Sequence, residues 1–411
     1  MIAASVRARS ALALLALALS LTGCGGGGGG GGGDSGGNPP TPPPPTPNTQ
    51  PISVDAGPAG FVNLAFTSVT VCAPGSTTNC QTIDHIQVDT GSSGLRLLSS
   101  VLSPALSLPQ QVDATGNPLV ECAQFADGFS WGPVKTADIR LAGETASAVP
   151  VQVIGDPASP PIPASCSSGG PPENTVQDFG ANGLLGVGVF LQDCGSACAQ
   201  TAFPGGYYSC PATGCVPTKV AVAQQLQNPV AMFSSDNNGV IIELPAIPAA
   251  GQATAAGTLI FGIGTQADNA LGGATVLTTD PTTGNITTLF NNQIYATSYI
   301  DAGSSLYFVG TGLFQLCGGA VAGFYCPATT QNLSATLQGA SGAKSAVNFS
   351  IANAAQLVSA NPSFYAFNDL GAPSGDVTTF AWGLSFFYGR NVYTAIEGRS
   401  TPGGTGPYFA F

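Results

Sequence analysis

The sequence predicts an all-β protein built from two lobes, and three observations support that prediction. Only 7% of the 411 residues are charged, and the chain contains 56 glycines and 33 prolines. Globular domains average about 25% charged residues, so short strands joined by turns are favoured over long helices with surface ion pairs. The third observation is an Asp-x-Gly-Ser-Ser motif that follows a strand-like run twice, at Asp89 and at Asp301. Because the two copies are more than half the chain apart, we expect one copy in each lobe, with the lobes covering residues 51–243 and 244–411.

Strand-like runs are expected in chain order, each bounded by glycine, proline or small polar residues. The first two are 61–72 and 81–98, and the Asp89 turn interrupts the second. A hairpin is expected over 125–154. The remaining predicted strands are 183–188, 232–243, 257–262, 382–396 and 408–411, with a connecting loop at 244–256.

Helices are expected to be few and short. The best candidate is 218–226, where Val220, Ala223 and Leu226 share one face at helical spacing. A second short helix is expected over 353–359.

The N-terminal residues 1–23 are predicted to be a signal peptide rather than part of the fold. Two arginines precede an apolar run, 11–21, that is too short to span a bilayer. The run ends in Leu-Thr-Gly-Cys at 21–24, which resembles the lipobox of bacterial lipoproteins. That resemblance implies cleavage before Cys24 and lipidation of its thiol and new amino group. An ordinary secretory signal is the alternative.

Residues 24–50 are predicted to be a disordered tether rich in glycine and proline, which keeps the folded domain away from the membrane. The residue after Cys24 is Gly25 rather than Asp. By resemblance to the sorting of Gram-negative lipoproteins, this implies the outer membrane of a bacterial cell envelope. Either face of that membrane fits the sequence.

The cysteines indicate an oxidising compartment. Besides Cys24 there are ten, and an even number in an exported chain is typical of disulfides. The favoured pairs are Cys72–Cys80 and Cys317–Cys326, because each brackets a short turn-rich segment. The four cysteines between 194 and 215 allow three connectivities, which stay open. A zinc site is the rival interpretation, but with a single histidine in the chain no metal is expected.

The order of five motifs resembles that of pepsin-like aspartic peptidases over residues 60–411. The resemblance implies a double β-barrel with a few short helices and an active-site cleft between the lobes. The motifs are Val-Asp-Thr-Gly-Ser-Ser at 88–93, Phe-Ala-Asp-Gly-Phe-Ser-Trp-Gly at 125–132, Asn-Gly-Leu-Leu-Gly at 182–186, Ile-Asp-Ala-Gly-Ser-Ser at 300–305 and Trp-Gly-Leu-Ser at 382–385.

The resemblance assigns catalysis to Asp89 and Asp301. Two carboxyl groups about 3 Å apart cannot both ionise, so one keeps a proton while the other is charged. The charged carboxylate takes a proton from a water between the pair, and the protonated partner donates to the peptide carbonyl. This chemistry needs no cofactor.

Five further residues are expected to support the pair. Gly91 and Gly303 permit the turns and the close approach of the two loops. Thr90 braces one loop against the other, and Ser92 and Ser304 hydrogen-bond the outer carboxylate oxygens.

The flap that covers substrate in this family corresponds to a hairpin containing Phe125, Gly128 and Trp131. The chain departs from the family pattern at four residues. Ala302 lacks the hydroxyl that usually follows the second Asp, and Ser385 replaces the glycine expected beneath the second loop. Phe125 stands at the usual flap tyrosine, and Arg96 stands at its usual tryptophan partner.

The resulting functional hypothesis is an envelope-anchored aspartic endopeptidase, expected to be a monomer that acts on peptides or proteins. The rival hypothesis is a non-catalytic envelope-binding lipoprotein that keeps the cleft without efficient turnover. Ala302 and Phe125 favour the rival, whereas the Asp pair and the serines that follow favour the enzyme. The formal net charge of −12 argues against nucleic acid as a partner. The single histidine, His85, makes a Ser-His-Asp hydrolase improbable.

Overall fold

The structure is a computed structural model, and it describes residues 48–411. The predictions for the signal peptide 1–23, for lipidation of Cys24 and for the tether up to residue 47 lie outside the described residues. The first strand begins at Thr49, two residues before the predicted start of the first lobe.

The regular structure of residues 48–411 is mostly β, so the all-β class is confirmed. The strands are β1 (Thr49–Val54), β2 (Ala65–Cys72), β3 (Cys80–Asp89), β4 (Ser93–Leu98), β5 (Leu119–Gln124), β6 (Phe129–Leu141), β7 (Glu144–Ile154), β8 (Gly183–Val187), β9 (Tyr207–Ser209), β10 (Val216–Pro217), β11 (Gly239–Leu244), β12 (Ala255–Phe261), β13 (Val276–Thr278), β14 (Ile286–Phe290), β15 (Gln293–Ile300), β16 (Tyr307–Val309), β17 (Gln331–Gln338), β18 (Lys344–Ile351), β19 (Gly371–Ala372), β20 (Phe380–Trp382), β21 (Arg390–Ala395), β22 (Ser400–Thr401), β23 (Gly404–Thr405) and β24 (Tyr408–Ala410).

The helices are short, and none within residues 48–411 is long and apolar enough to cross a membrane. The α-helices are α1 (Ala164–Ser167), α2 (Val176–Phe179), α3 (Ser196–Gln200) and α4 (Ala354–Ala360). The 3-10 helices are Ser99–Val101, Val222–Gln224, Val230–Met232, Gly319–Val321 and Leu384–Phe386.

One helix prediction is confirmed and the other is wrong. The predicted helix 353–359 is α4, which Asn353 caps by accepting a hydrogen bond from the Gln356 amide at 3.0 Å. The predicted helix 218–226 contains only a 3-10 turn. Its expected apolar face does not exist, because Ala223 is exposed, and Gln225 Nε2 occupies the Val220 carbonyl that a helix would use.

Strands from both predicted lobes join in one sheet of 15 strands. β1 pairs along its whole length with β12, and β11 pairs with both β12 and β21. The predicted boundary at residue 244 therefore falls at the end of β11, inside this sheet. A second sheet has seven strands, in the order β18, β17, β14, β15, β20, β16, β19, and a third has two.

The strand arrangement around the first motif recurs around the second. β3, which ends at Asp89, runs parallel to β8, and β8 is antiparallel to β4, which is parallel to β7. β15, which ends just before Asp301, runs parallel to β20, and β20 is antiparallel to β16, which is parallel to β19. Both aspartates thus leave the end of a strand that has a parallel neighbour and a buried surrounding.

The strands that support the two motifs are fully buried. All five residues of β8 are buried, as expected for the Gly-punctuated run 183–188. Beneath the second motif, Phe380 and Trp382 of β20 stack at 4.2 Å between ring centroids, and Trp382 donates to Thr288 Oγ1 at 2.9 Å. Close-packed aromatic and aliphatic side chains leave these strands little freedom to shift.

All ten cysteines in residues 48–411 are paired. The predicted pairs Cys72–Cys80 and Cys317–Cys326 are confirmed. The remaining pairs are Cys122–Cys166, Cys194–Cys198 and Cys210–Cys215.

We predict that the Cys122–Cys166 bridge contributes more stability than any local bridge of the chain. Its cysteines are 44 residues apart, so replacing both by Ala should lower the free energy of unfolding by about 4 kcal/mol. The matched control replaces Cys210 and Cys215, which are 5 residues apart, with an expected loss of about 2 kcal/mol. Urea unfolding of the oxidised proteins measures both. If both double substitutions lower the free energy of unfolding equally, the length of the closed loop does not determine the stability that each bridge contributes.

Candidate active site

The two motif aspartates lie buried at equivalent points of the repeated strand arrangement. Asp89 is the last residue of β3, and Asp301 directly follows β15. Both residues are 0% exposed. Buried carboxyl groups need hydrogen-bond donors, and each finds them within its own loop.

The donors are the same in both loops. At Asp89, the amide of Gly91 donates to Oδ1 at 2.7 Å and the hydroxyl of Ser92 donates to Oδ2 at 2.6 Å. At Asp301, the amide of Gly303 donates to Oδ1 at 2.7 Å and the hydroxyl of Ser304 donates to Oδ2 at 2.7 Å. The structure therefore contains the hydrogen bonds expected of both serines, and it fixes the two carboxyl groups in matching orientations.

A brace joins the loops from one side only. The hydroxyl of Thr90 accepts a hydrogen bond from the Ala302 amide at 2.9 Å and donates to the Ile300 carbonyl at 3.4 Å. Ala302 is buried and has no hydroxyl to return the interaction. The site therefore lacks one hydrogen bond between the loops, an interaction that ordinarily contributes about 1 kcal/mol to stability.

The carboxyl group of Asp301 packs against the backbone of the other loop. A β-carbon at Gly91 would lie 2.7 Å from Asp301 Cγ, so only glycine allows this approach. Burial raises the pKa of Asp301 well above its ordinary value, and the nearby Asp89 raises this pKa further, against the lowering effect of the Ser304 and Gly303 donors. Asp301 therefore keeps its proton in a pH range where an aspartic acid is ordinarily charged.

Sequence reasoning missed two residues of the site, Gln87 and Tyr299. Each lies two positions before its aspartate, on the same face of the strand. Gln87 is buried and donates to the Gly303 carbonyl at 2.9 Å, across the two loops. The Tyr299 hydroxyl is hydrogen-bonded to the Ser304 side chain, and burial together with the charge of Asp301 raises the pKa of Tyr299. The alternation of strand residues was the available signal.

The predicted flap residues lie in and beside the hairpin of β5 and β6. Side-chain contacts hold this hairpin against the neighbouring parts of the protein. Phe125 packs edge-to-face on Phe179 at 6.0 Å, and Trp131 packs on Tyr208 at 5.2 Å. Trp131 Nε1 also donates to the Pro160 carbonyl at 3.0 Å.

The turn of the same hairpin is held as closely as its aromatic side chains. The Phe129 amide donates to the Pro171 carbonyl at 3.0 Å, and a β-carbon at Gly128 would lie 2.5 Å from that oxygen. The Cys122–Cys166 bridge ties β5 to α1. These contacts leave the hairpin less freedom than a mobile cover has.

Arg96 is the centre of a buried ionic cluster that the sequence did not reveal. Its guanidinium lies 2.6 Å from Glu121 and 3.5 Å from Asp193, and it donates to the Ser93 carbonyl at 3.1 Å. The Tyr207 hydroxyl donates to Asp193 at 2.8 Å. Burial and the Glu121 charge raise the pKa of Asp193 well above its ordinary value, although Arg96 lowers it. The cluster anchors the strand that follows the first loop.

A pocket adjoins both loops. Its polar groups come from Thr90, Ser92 and Ser93 of the first loop and from Tyr299 before the second, and Ile300, Phe190 and Phe409 supply apolar surface. Apolar walls next to a few convergent polar groups are typical of ligand sites. In residues 48–411, no three or more His, Cys, Asp or Glu side chains cluster in a way that could hold a metal ion.

The fold and site define a class: an all-β protein with two matched Asp-x-Gly-Ser-Ser loops that place their carboxyl groups together in a buried site. The chain belongs to the DUF3443 family, described as a protein family of unknown function, whose match covers residues 44–411. No curated protein matches the chain.

We predict that Asp301→Asn makes the protein more stable than wild type as the pH rises. In wild type, protonated Asp301 contributes to the free energy of unfolding because its pKa is higher in the folded protein than in the unfolded chain. This contribution is fully present below the ordinary pKa of 3.8, and it is lost as the pH rises through the raised pKa. Asparagine does not titrate, so the difference in unfolding temperature should be smallest near pH 3 and grow toward pH 8.

The control for this prediction is Asp280→Asn. The Thr283 and Thr282 amides lower the pKa of Asp280, so its contribution to stability has the opposite pH dependence. A difference between wild type and Asp301→Asn that stays constant with pH would contradict the raised pKa.

Proposed function

We propose that this protein is an aspartic endopeptidase that hydrolyses peptide bonds with a water activated by Asp89 and Asp301. The observation that carries the proposal is the pair of matching donor sets: each carboxyl group receives one amide and one serine hydroxyl. Turn aspartates that only satisfy their own loop would not need to approach one another. Here the Asp301 carboxyl group lies against Gly91, and Asp89 raises its pKa.

The same proposal includes a pepsin-like bilobal fold. The recurrence of one strand arrangement around both aspartates supports it, since each copy brings one half of the pair. The pairing of β1 with β12 and of β11 with β21 would then be the sheet shared by the two lobes.

In the proposed mechanism, Asp301 carries the proton and Asp89 is the base. Asp89 takes a proton from a water bound between the carboxyl groups, and the resulting hydroxide attacks the peptide carbonyl carbon. Asp301 donates its proton to the carbonyl oxygen as the tetrahedral intermediate forms. Ser92 and Ser304 keep the outer oxygens occupied, so the inner oxygens face the water. As the carbon–nitrogen bond breaks, Asp89 gives the proton it took from the water to the leaving nitrogen. Asp301 takes a proton back from a hydroxyl of the intermediate, which restores the starting state of the pair.

A second candidate is a non-catalytic binding protein of the same fold. Two observations favour it: both aspartates are 0% exposed, and the Cys122–Cys166 bridge restrains the hairpin that would have to open for substrate. Loss of the second hydroxyl at Ala302 acts in the same direction.

We also propose that Cys24 is lipidated and that the domain is tethered to the bacterial outer membrane. The proposal rests on the sequence of residues 1–50, with its short apolar run, the Leu-Thr-Gly-Cys motif and the Gly- and Pro-rich segment that follows. Peptides or proteins in the envelope would then be the substrates.

We predict endopeptidase activity at acidic pH that falls at least about 10³-fold in both Asp89→Asn and Asp301→Asn, because the pair works as one unit. The assay is digestion of a denatured protein mixture between pH 3 and pH 7, with cleavage sites read by mass spectrometry. Asp113→Asn is the matched control, since the Asp113 carboxylate accepts hydrogen bonds in its own turn, from Thr115 and Asn117. Absence of any cleavage that depends on the pair would leave the binding protein as the function.

A pair of isosteric variants in the same assay tests whether the missing hydroxyl at residue 302 is what limits turnover. Ala302→Thr restores the missing hydroxyl, whereas Ala302→Val adds the same shape without it. Restoring the brace should raise activity about 2- to 10-fold relative to Ala302→Val. If Thr and Val have equal effects, the brace does not limit turnover.

A further inference from the structure

Another pocket lies at the hairpin of β17 and β18, and its lining includes no residue of the two loops 89–93 and 300–305. Polar groups dominate its wall, together with three aromatic residues. The residues that the argument uses are Tyr307, Asn332, Phe349, Asn368, Asp369 and Arg390.

Two buried oxygen atoms in this wall accept no hydrogen bond from the protein. They are Asn368 Oδ1 and Asp369 Oδ1, on neighbouring residues. The orientation of the Asn368 amide is fixed, because its Nδ2 donates to the Ile247 carbonyl at 3.2 Å. Asp369 is only 3% exposed. A buried acceptor without a donor costs about 1–3 kcal/mol, so two such atoms side by side in one pocket need an explanation beyond folding.

The charges in the pocket restrict the ligand that could supply the donors. Arg390 lines the same pocket and disfavours a cation, and the carboxyl group of Asp369 disfavours an anion. Burial raises the pKa of Asp369 to about 7, so both of its protonation states exist near neutral pH. A hydroxyl group can donate to the charged form and accept from the protonated form, which an amide or ammonium donor cannot do.

We propose that this pocket binds an uncharged sugar residue, with two neighbouring hydroxyl groups donating to Asn368 Oδ1 and Asp369 Oδ1. The exposed amide of Asn332 and the guanidinium of Arg390 supply donors for the remaining sugar oxygens. Phe349 supplies apolar wall for the ring. A free monosaccharide and the terminal residue of a glycan present the same pair of hydroxyl groups, so both are ligands of the proposed class.

The test is ligand-observed saturation-transfer NMR on the full chain with defined probes. The neutral probes are glucose, galactose and N-acetylglucosamine, each with its disaccharide, and the charged probes are putrescine and acetate. We expect at least one neutral sugar to bind and both charged probes to fail. A disaccharide that binds more tightly than its monosaccharide indicates a glycan end, and equal binding indicates free sugar.

Variants connect the binding to the pocket. Asp369→Asn should weaken binding at least about tenfold, because a charge-assisted hydrogen bond is lost. The variant should still fold: burial raises the pKa of Asp369 to about 7, so an asparagine, which does not titrate, should unfold at a temperature at least as high as wild type above pH 7. Ser350→Trp places a large ring at the half-exposed rim of the pocket and should abolish binding without touching Asp369. Asp280→Asn, outside the pocket, should bind like wild type.

Three results would overturn the proposal. The first is that no neutral sugar binds wild type at millimolar concentration. The second is that sugars bind Asp369→Asn and Ser350→Trp as they bind wild type. The third is that putrescine or acetate binds this pocket in preference to the sugars.

Discussion

The interaction on which the rest of the structure depends is the enforced proximity of two buried carboxyl groups. Two charged carboxylates in a site without solvent repel strongly, so Asp89 and Asp301 can share it only when one of them keeps a proton. The fold secures that condition with four donors from the two loops and with the glycine at position 91, which lets the Asp301 carboxyl group come close. The Thr90 hydroxyl holds the two loops together, because it bonds to the residues on both sides of Asp301, Ile300 and Ala302.

The rigidity of the surrounding β-structure has a consequence for function. Each loop leaves a strand that is hydrogen-bonded on both sides, and each aspartate is buried at the end of that strand, so the carboxyl groups have little freedom to relax away from one another. A preorganised pair of this kind is suited to chemistry on a bound water. Two other features disfavour turnover at the same site. The contacts of Trp131 restrain the hairpin that would have to open for substrate, and at Ala302 only one of the two loops supplies a bracing hydroxyl. The balance between these features decides whether the protein turns substrate over or only binds it.

The parts of the site that the sequence could predict are those whose chemistry is local. The donors to Asp89 lie two and three residues after it, so the motif itself contains the geometry. The contact of Gln87 could not be found in this way, because its partner, the Gly303 carbonyl, lies in the other loop. The ionic cluster of Arg96 is of the same kind. Tyr299 bonds to Ser304 of its own loop, and only the alternation of residues along the strand pointed to it. The wrong helix at 218–226 came from an apolar spacing that tertiary contacts override.

The measurement that tests the central claim most directly is a carbon-13 NMR titration of the aspartate side-chain carboxyl groups in wild type and in Asp89→Asn. The account predicts that Asp301 in wild type loses its proton well above the ordinary value of 3.8. In Asp89→Asn the same transition should move to lower pH, because the neighbouring charge is gone. An Asp301 resonance that titrates near 3.8 in wild type, or one that Asp89→Asn leaves unmoved, would contradict the shared proton.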